Sequence, residues 1–250
     1  MNEQEILKEI ETARDLEATS LYLSELQMRA VPEEIGKLTD LVWLYLSENN
    51  LTSLPEAIAN LQKLTWLHLE ANQLPHIPQA VMQLKSLTVL NLAENQITTL
   101  PSAIGKLSNL ARLDINANFL TSVPSEIGLL KFLTWLDLSE NQLERLPLEI
   151  GHLTNLTELD LRKNNLSTLP EEIGELTGLT ELYLGNNQLS DLPPEIGNLM
   201  DITELDLSYN QLTNLPATIS NLKNLVRLDL RGNPIEASSL NNLKHGMILI

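Results

Sequence analysis

The side chains with most chemical potential in this 250-residue chain are carboxylates. Asp114, Asp137 and Asp160 recur at intervals of 23, with Glu158, Glu181, Glu204, Asp206 and Asp229 close behind. Held side by side, such groups could act as an acid/base pair, ligate a hard cation or receive a basic segment of another protein. Acid/base work needs a deep apolar pocket that drives two pKa values apart, and none is expected here. Calcium is disfavoured as well. Solvated, mutually paired charges are the simpler account, with Arg112, Arg162, Lys163, Arg227 and Arg231 as the compensating cations. Other chemistry is thin. His68, His76, His152 and His245 do not group, and no HExxH occurs. With no cysteine there is no thiolate nucleophile and no Cys-based metal site. The Gly-Lys pairs at Gly36-Lys37 and Gly105-Lys106 lack the GxxxxGK[ST] spacing of a phosphate loop. Neither enzymatic activity nor a cofactor is expected.

The elements that position these residues follow from a period. Asn recurs at Asn49, Asn72, Asn95, Asn118, Asn141, Asn164, Asn187, Asn210 and Asn233, a step of 23 without insertion. Pro keeps the step from Pro32 to Pro216, and an Ile/Val column keeps it from Ile35 to Ile219. Each unit reads LxxLxLxxNxLxxLPxxIGxLxx. A unit of that size cannot bury its apolar face alone and must stack on its neighbours. "LxLx" alternates as a short, half-buried strand does. Its copy arrives too late for a hairpin, so adjacent strands run parallel. The Asn falls where the chain leaves the strand. Its amide, donor and acceptor at once, is expected to bridge buried backbone groups of adjacent coils as an internal ladder. "LPxxIGxL" predicts a short helical or 3₁₀ segment, with Pro at its first position and acids such as Glu33 and Glu171 near its positive end. Ala59, Met82 and Ser220 replace the Gly of this segment, so the site cannot require positive φ. An outer wall wider than the inner one curves the stack. The predicted fold is an α/β solenoid, a horseshoe with about ten parallel strands on the concave face and helical or 3₁₀ turns on the convex face.

These columns resemble the leucine-rich repeat family over about residues 18–235. The "LPxxIGxL" segment is most similar to the 23-residue class of Ras-suppressor-like proteins, Scribble-like scaffolds and the repeat regions of bacterial Roco GTPases. The resemblance implies a scaffold for binding. It does not name a partner.

Partner information should therefore sit in the variable columns that project from the strands into the hollow. One column reads Ser20, Trp43, Trp66, Val89, Arg112, Trp135, Glu158, Glu181, Glu204, Arg227. The other reads Tyr22, Tyr45, His68, Asn91, Asp114, Asp137, Asp160, Tyr183, Asp206, Asp229. All three Trp and three of the four Tyr fall in them. Tyr22, Trp43, Tyr45, Trp66, His68 and Trp135 form the expected anchor patch, since exposed aromatic rings dominate interface energetics. Cross-strand stacking that merely stabilises the sheet is the competing account of the same rings. Arg112, Asp137, Glu158, Asp160, Glu181, Tyr183 and Glu204 extend the expected contact surface into an acidic half suited to a basic segment.

Three regions are expected: a capping helix over residues 1–17, the solenoid over 18–235 and a C-terminal cap over 236–250. Ile6, Leu7, Ile10 and Ala13 give the first an apolar stripe. Leu26 replaces the first Asn, where no preceding coil exists to be bridged. A net charge of −17 disfavours nucleic acid and anionic lipid. No apolar run suits a membrane span, and residues 1–17 lack the basic-then-apolar order of a leader. A monomer in a cytoplasmic setting, binding a protein or peptide, is expected. The alternative is the sensing region of a larger signalling enzyme, a Roco-type GTPase or a kinase, with catalysis outside this chain.

Overall fold

A computed structural model of the chain describes residues 3–236 and 248–249. Helix α1 (Glu3–Asp15) comes first. Ten three-residue strands follow: β1 (Ser20–Tyr22), β2 (Trp43–Tyr45), β3 (Trp66–His68), β4 (Val89–Asn91), β5 (Arg112–Asp114), β6 (Trp135–Asp137), β7 (Glu158–Asp160), β8 (Glu181–Tyr183), β9 (Glu204–Asp206) and β10 (Arg227–Asp229). They form one parallel sheet in sequence order, and β11 (Ile248–Leu249) closes its edge against β10. Each pairing from β1 to β10 joins a residue to the one 23 positions on, as in Leu113↔Leu136 and Leu136↔Leu159. The sequence period is therefore the sheet register. The C-terminal cap expected over 236–250 lies outside the described residues, apart from Glu236 and β11. Among the described residues, no helix is long and apolar enough to cross a membrane.

The core is one continuous column inside the coils. In a single coil Leu133, Leu136, Leu138, Leu143, Ile150, Leu153 and Leu156 are fully buried. The uneven spacing of these residues fits neither a helix nor a long strand, because the chain turns around them and each arrives from a different side. At the N-terminal end α1 covers the stack with Ile6, Ile10 and Ala13, and Leu26 packs partly buried against the core.

A 3₁₀ segment lies on the outer side of every coil, as at Glu33–Lys37 and Leu148–His152. Proline stands one residue earlier than its sequence placement suggests. Pro32 is the N-cap, extended at φ −62° and ψ 148°, and its carbonyl accepts the first bond from the Ile35 N–H at 3.1 Å. Proline has no N–H to lose there, and its carbonyl starts the turn. Pro194 alone takes a position inside the segment, at its start.

The glycines of this segment answer to space rather than to φ. A Cβ on Gly128 would lie 2.6 Å from the Glu149 carbonyl oxygen, and one on Gly174 would lie 2.5 Å from that of Glu195. Outer segments thus touch backbone to backbone. Met82 breaks this seam. Its side chain is buried, and a surface groove of about 770 Å³ lies between the Gln79–Gln83 and Ser102–Lys106 segments.

Candidate functional site

The asparagine column forms a continuous polar spine. The Oδ1 of Asn141 accepts from the Leu120 N–H at 2.9 Å, and its Nδ2 donates to the carbonyls of Ile115 at 3.0 Å and Leu138 at 3.1 Å. The same pattern reaches back one coil from Asn49, Asn72, Asn95, Asn118, Asn164, Asn187, Asn210 and Asn233. Each amide satisfies backbone groups that a buried turn would otherwise leave unpaired. The residue before each Asn is left-handed, from Glu48 (φ 55°) and Glu140 (φ 53°) to Tyr209 (φ 52°). Sequence reasoning missed this column. The only signal for it is Gly232, which takes the last such position at φ 74°.

The first and third residues of each strand point to the open side, and the central Leu points inward. Both variable columns therefore line the hollow. Register places Trp43 beside Trp66 and Tyr45 beside His68. The Tyr22 and Tyr45 rings stack at 4.6 Å between centroids and 7° between planes, and Tyr45 stacks on His68 at 4.8 Å. Trp66 tilts against His68 at 6.0 Å. Trp43 and Trp66 each remain 39% exposed and Tyr22 68%, so stacking along the sheet leaves ring surface free. Trp135 stands apart from this group, two strands beyond β4, and carries the Arg112 guanidinium over its ring at 4.4 Å.

The acidic half is more completely paired. Asp160 is buried and ion-paired with Arg162. The guanidinium of Arg162 also lies 4.9 Å from the Tyr183 ring centre. Asp229 is held by Arg231, Nε at 3.0 Å and Nη2 at 2.5 Å, and this bonding keeps its pKa below the ordinary carboxylate value. Arg227 reaches Glu204 at 3.6 Å. The Tyr183 hydroxyl donates to Glu181, and burial followed by that bond pushes its pKa upward. Glu158, Glu181 and Glu204 sit side by side on β7, β8 and β9. Lys163 pairs instead with Glu140, at 2.8 Å.

Asp114 and Asp137 depart from the expectation of solvated charges. Burial, then the neighbouring Asp137, raises the Asp114 pKa to about 6. Burial also raises Asp137, against a hydrogen bond from the Ser139 N–H at 2.8 Å. No deep apolar pocket was expected in the hollow, yet a cleft of about 140 Å³ lies between Trp66 and Trp135 with Asp114 in its lining. Two indoles 69 residues apart wall a floor of small side chains on β4, and only the stacked register reveals that. Among the described residues no three His, Asp or Glu side chains converge as a metal site.

Residues 17–74, 67–120 and 177–235 match a family model described as "Leucine rich repeat", and residues 112–186 match one described as "Leucine-rich repeat region". The chain belongs to the leucine-rich repeat family. No curated protein matches this leucine-rich repeat chain. Among solved structures it is similar to a leucine-rich repeat protein of Leptospira interrogans, with 33% identity and a TM-score of 0.69 over 95% of this chain and 74% of that one. It is also similar to the ectodomain of the Arabidopsis thaliana membrane receptor kinase GASSHO1/SCHENGEN3 in complex with Casparian strip integrity factor 2. Identity there is 35% and the TM-score 0.78, over 88% of this chain and 28% of the receptor chain. A third is the plant peptide hormone receptor RGFR1 in complex with RGF2, at 29% identity and a TM-score of 0.69 over 92% of this chain and 47% of that one. This chain thus spans less than half the length of either plant receptor chain.

Proposed function

We propose that this leucine-rich repeat chain is a non-catalytic interaction module that holds a protein or extended peptide along the concave face of its sheet. Tyr22, Trp43, Tyr45, Trp66 and His68 anchor the partner, with Trp135 as a second contact. The acidic half, through Glu158, Glu181 and Glu204, steers a basic region of that partner; Asp160, expected among these contacts, is buried and neutralised by Arg162. One observation carries this reading: in a protein with only 4% aromatic residues, every Trp lies in the concave columns, and two of them keep 39% of their surface open. The Arabidopsis ectodomain and RGFR1, each solved with a named second molecule, support a binding role for the fold.

The test is Trp43→Ala with Trp66→Ala. Neither indole belongs to the buried core, so far-UV circular dichroism and melting should change little. Each anchor is expected to contribute about 2 kcal/mol, so the pair should weaken partner capture roughly a thousandfold. A captured partner that binds the double variant as it binds the wild type would remove the aromatic patch from the account.

A further inference from the structure

The cleft between Trp66 and Trp135 has the makings of a selective subsite within that groove. Its volume of about 140 Å³ equals roughly four or five waters, enough for the end of one side chain. Its lining includes Trp66, His68, Asn91, Arg112, Asp114 and Trp135. Most of what these residues offer is electron-rich. The Nε2 of His68 is shielded from solvent and has no hydrogen-bond partner. Burial lowers the His68 pKa, and a neutral imidazole presents one acceptor nitrogen. Asn116 satisfies Asp114 through Oδ1, from its backbone N–H at 3.2 Å and its Nδ2 at 2.8 Å. No ion pair holds Asp114 among the described residues.

At Asp160 and Asp229 the residue two positions on is an arginine, Arg162 or Arg231, which folds back and neutralises the carboxylate. The equivalent residue after Asp114 is Asn116, which cannot. The fold thus has a means of neutralising this column and omits it at Asp114, as it does at Asp137 and Asp206, which Ser139 and Ser208 follow; of these three carboxylates Asp114 is the one that lines the cleft between the indoles. Arg112 also lines the cleft, but its guanidinium lies over the Trp135 ring at 4.4 Å, and among the described residues it forms no ion pair with Asp114.

We infer that, if the concave face binds a peptide, this cleft is a specificity pocket for one cationic side chain, lysine or arginine, with Asp114 as its counter-ion. The open face of Trp66 attracts the cation, the Trp135 ring already carrying Arg112. An anionic side chain would meet Asp114, Asp137 on β6 and Glu70, which Asn91 bonds at 2.8 Å. A neutral one would leave Asp114 unpaired. The groups facing Asp114 are Asp137 on β6, Arg112 on its own strand, Asn91 and through it Glu70 on the β4 side, and His68 beyond. Protonating Asp114 near pH 6 removes the counter-ion, and protonating His68 acts in the same direction.

A phage-displayed random dodecapeptide library panned on the full chain tests this. Peptides enriched on the wild type should share a Lys or Arg at one position. Asp114→Asn should weaken the best synthetic peptide at least tenfold. Replacing that Lys by norleucine, or Arg by citrulline, should cost at least as much on the wild type and much less on Asp114→Asn. Affinity should rise between pH 5 and pH 7 for the wild type and for His68→Gln, and rise markedly less for Asp114→Asn. Enriched peptides without a basic residue, or full affinity in Asp114→Asn, would overturn the pocket. Trp43 lies outside the cleft, so weakened binding in Trp43→Ala beside unchanged binding in Asp114→Asn would leave the groove standing without the pocket. Enrichment of no peptide would overturn both.

Discussion

At the scale of single residues, two polar side chains make opposite contributions to the fold. Asn141 is buried and fully bonded to backbone. Asn141→Ala leaves the Leu120 N–H without its partner inside the stack, at about 1–3 kcal/mol for an orphaned group, and takes one of two bonds from the Ile115 carbonyl, which Asn118 still holds at 3.2 Å. A loss of about 2 kcal/mol is expected in urea unfolding, while Asn50→Ala, on the surface beside the ladder, should change little. Asp114 works against the fold. Burial raises its pKa from the ordinary 3.8 to about 6, so its protonated form is the one the folded chain favours. Stability from this group is full below its unfolded pKa and declines as pH climbs through about 6. Two pKa units correspond to about 3 kcal/mol at most, and partial solvation reduces that. Asp114→Asn is therefore expected to exceed the wild type by about 1–2 kcal/mol at pH 7.5 and to match it near pH 4, read by urea unfolding at both values. The carboxylate was visible in the sequence, but its environment was not. Its walls come from Trp66 and Trp135, two strands before and one strand after. A large-small-large run down one column, with Asn116 where Arg162 and Arg231 stand elsewhere, is the signal that could have found it.

At the scale of elements, period and register coincide, so every strand from β1 to β10 was legible in the LxLx alternation. The convex segments were legible in kind but not in cause. Replacement of Gly by Ala59, Met82 and Ser220 correctly argued against a need for positive φ, yet close approach to the next coil was the reason left unseen. It depends on backbone from a neighbouring repeat, which no single unit displays. Gly128→Ala should cost about 2 kcal/mol, because the new Cβ would meet the Glu149 carbonyl oxygen at 2.6 Å and force the coils apart. Gly178 is the control. Its nearest contact would be 3.5 Å, and Gly178→Ala should be neutral or slightly stabilising in the same thermal melts. The left-handed residue before each Asn was not legible, since Glu, Ala, Lys, Asn and Tyr all occupy it. The backbone of this residue bonds the next coil whatever its side chain, as the Glu48 N–H does the Glu70 carbonyl at 2.9 Å and the Glu140 N–H the Arg162 carbonyl at 2.8 Å.

At the scale of the molecule, fixed columns build a solenoid and variable ones decorate its open face. The stack uses Leu, Ile and Asn for cohesion, which leaves its few rings free to face solvent. All three Trp lie in one hollow, so the intrinsic fluorescence of the protein reports on that surface alone. The most direct test of concave-face binding is a titration of the unlabelled chain with its captured partner, or with a selected peptide, read by tryptophan emission. Saturable quenching or a shift to shorter wavelength is predicted, with an amplitude that collapses in Trp43→Ala/Trp66→Ala. Saturated binding, established independently by calorimetry, with an unchanged emission spectrum would contradict the account.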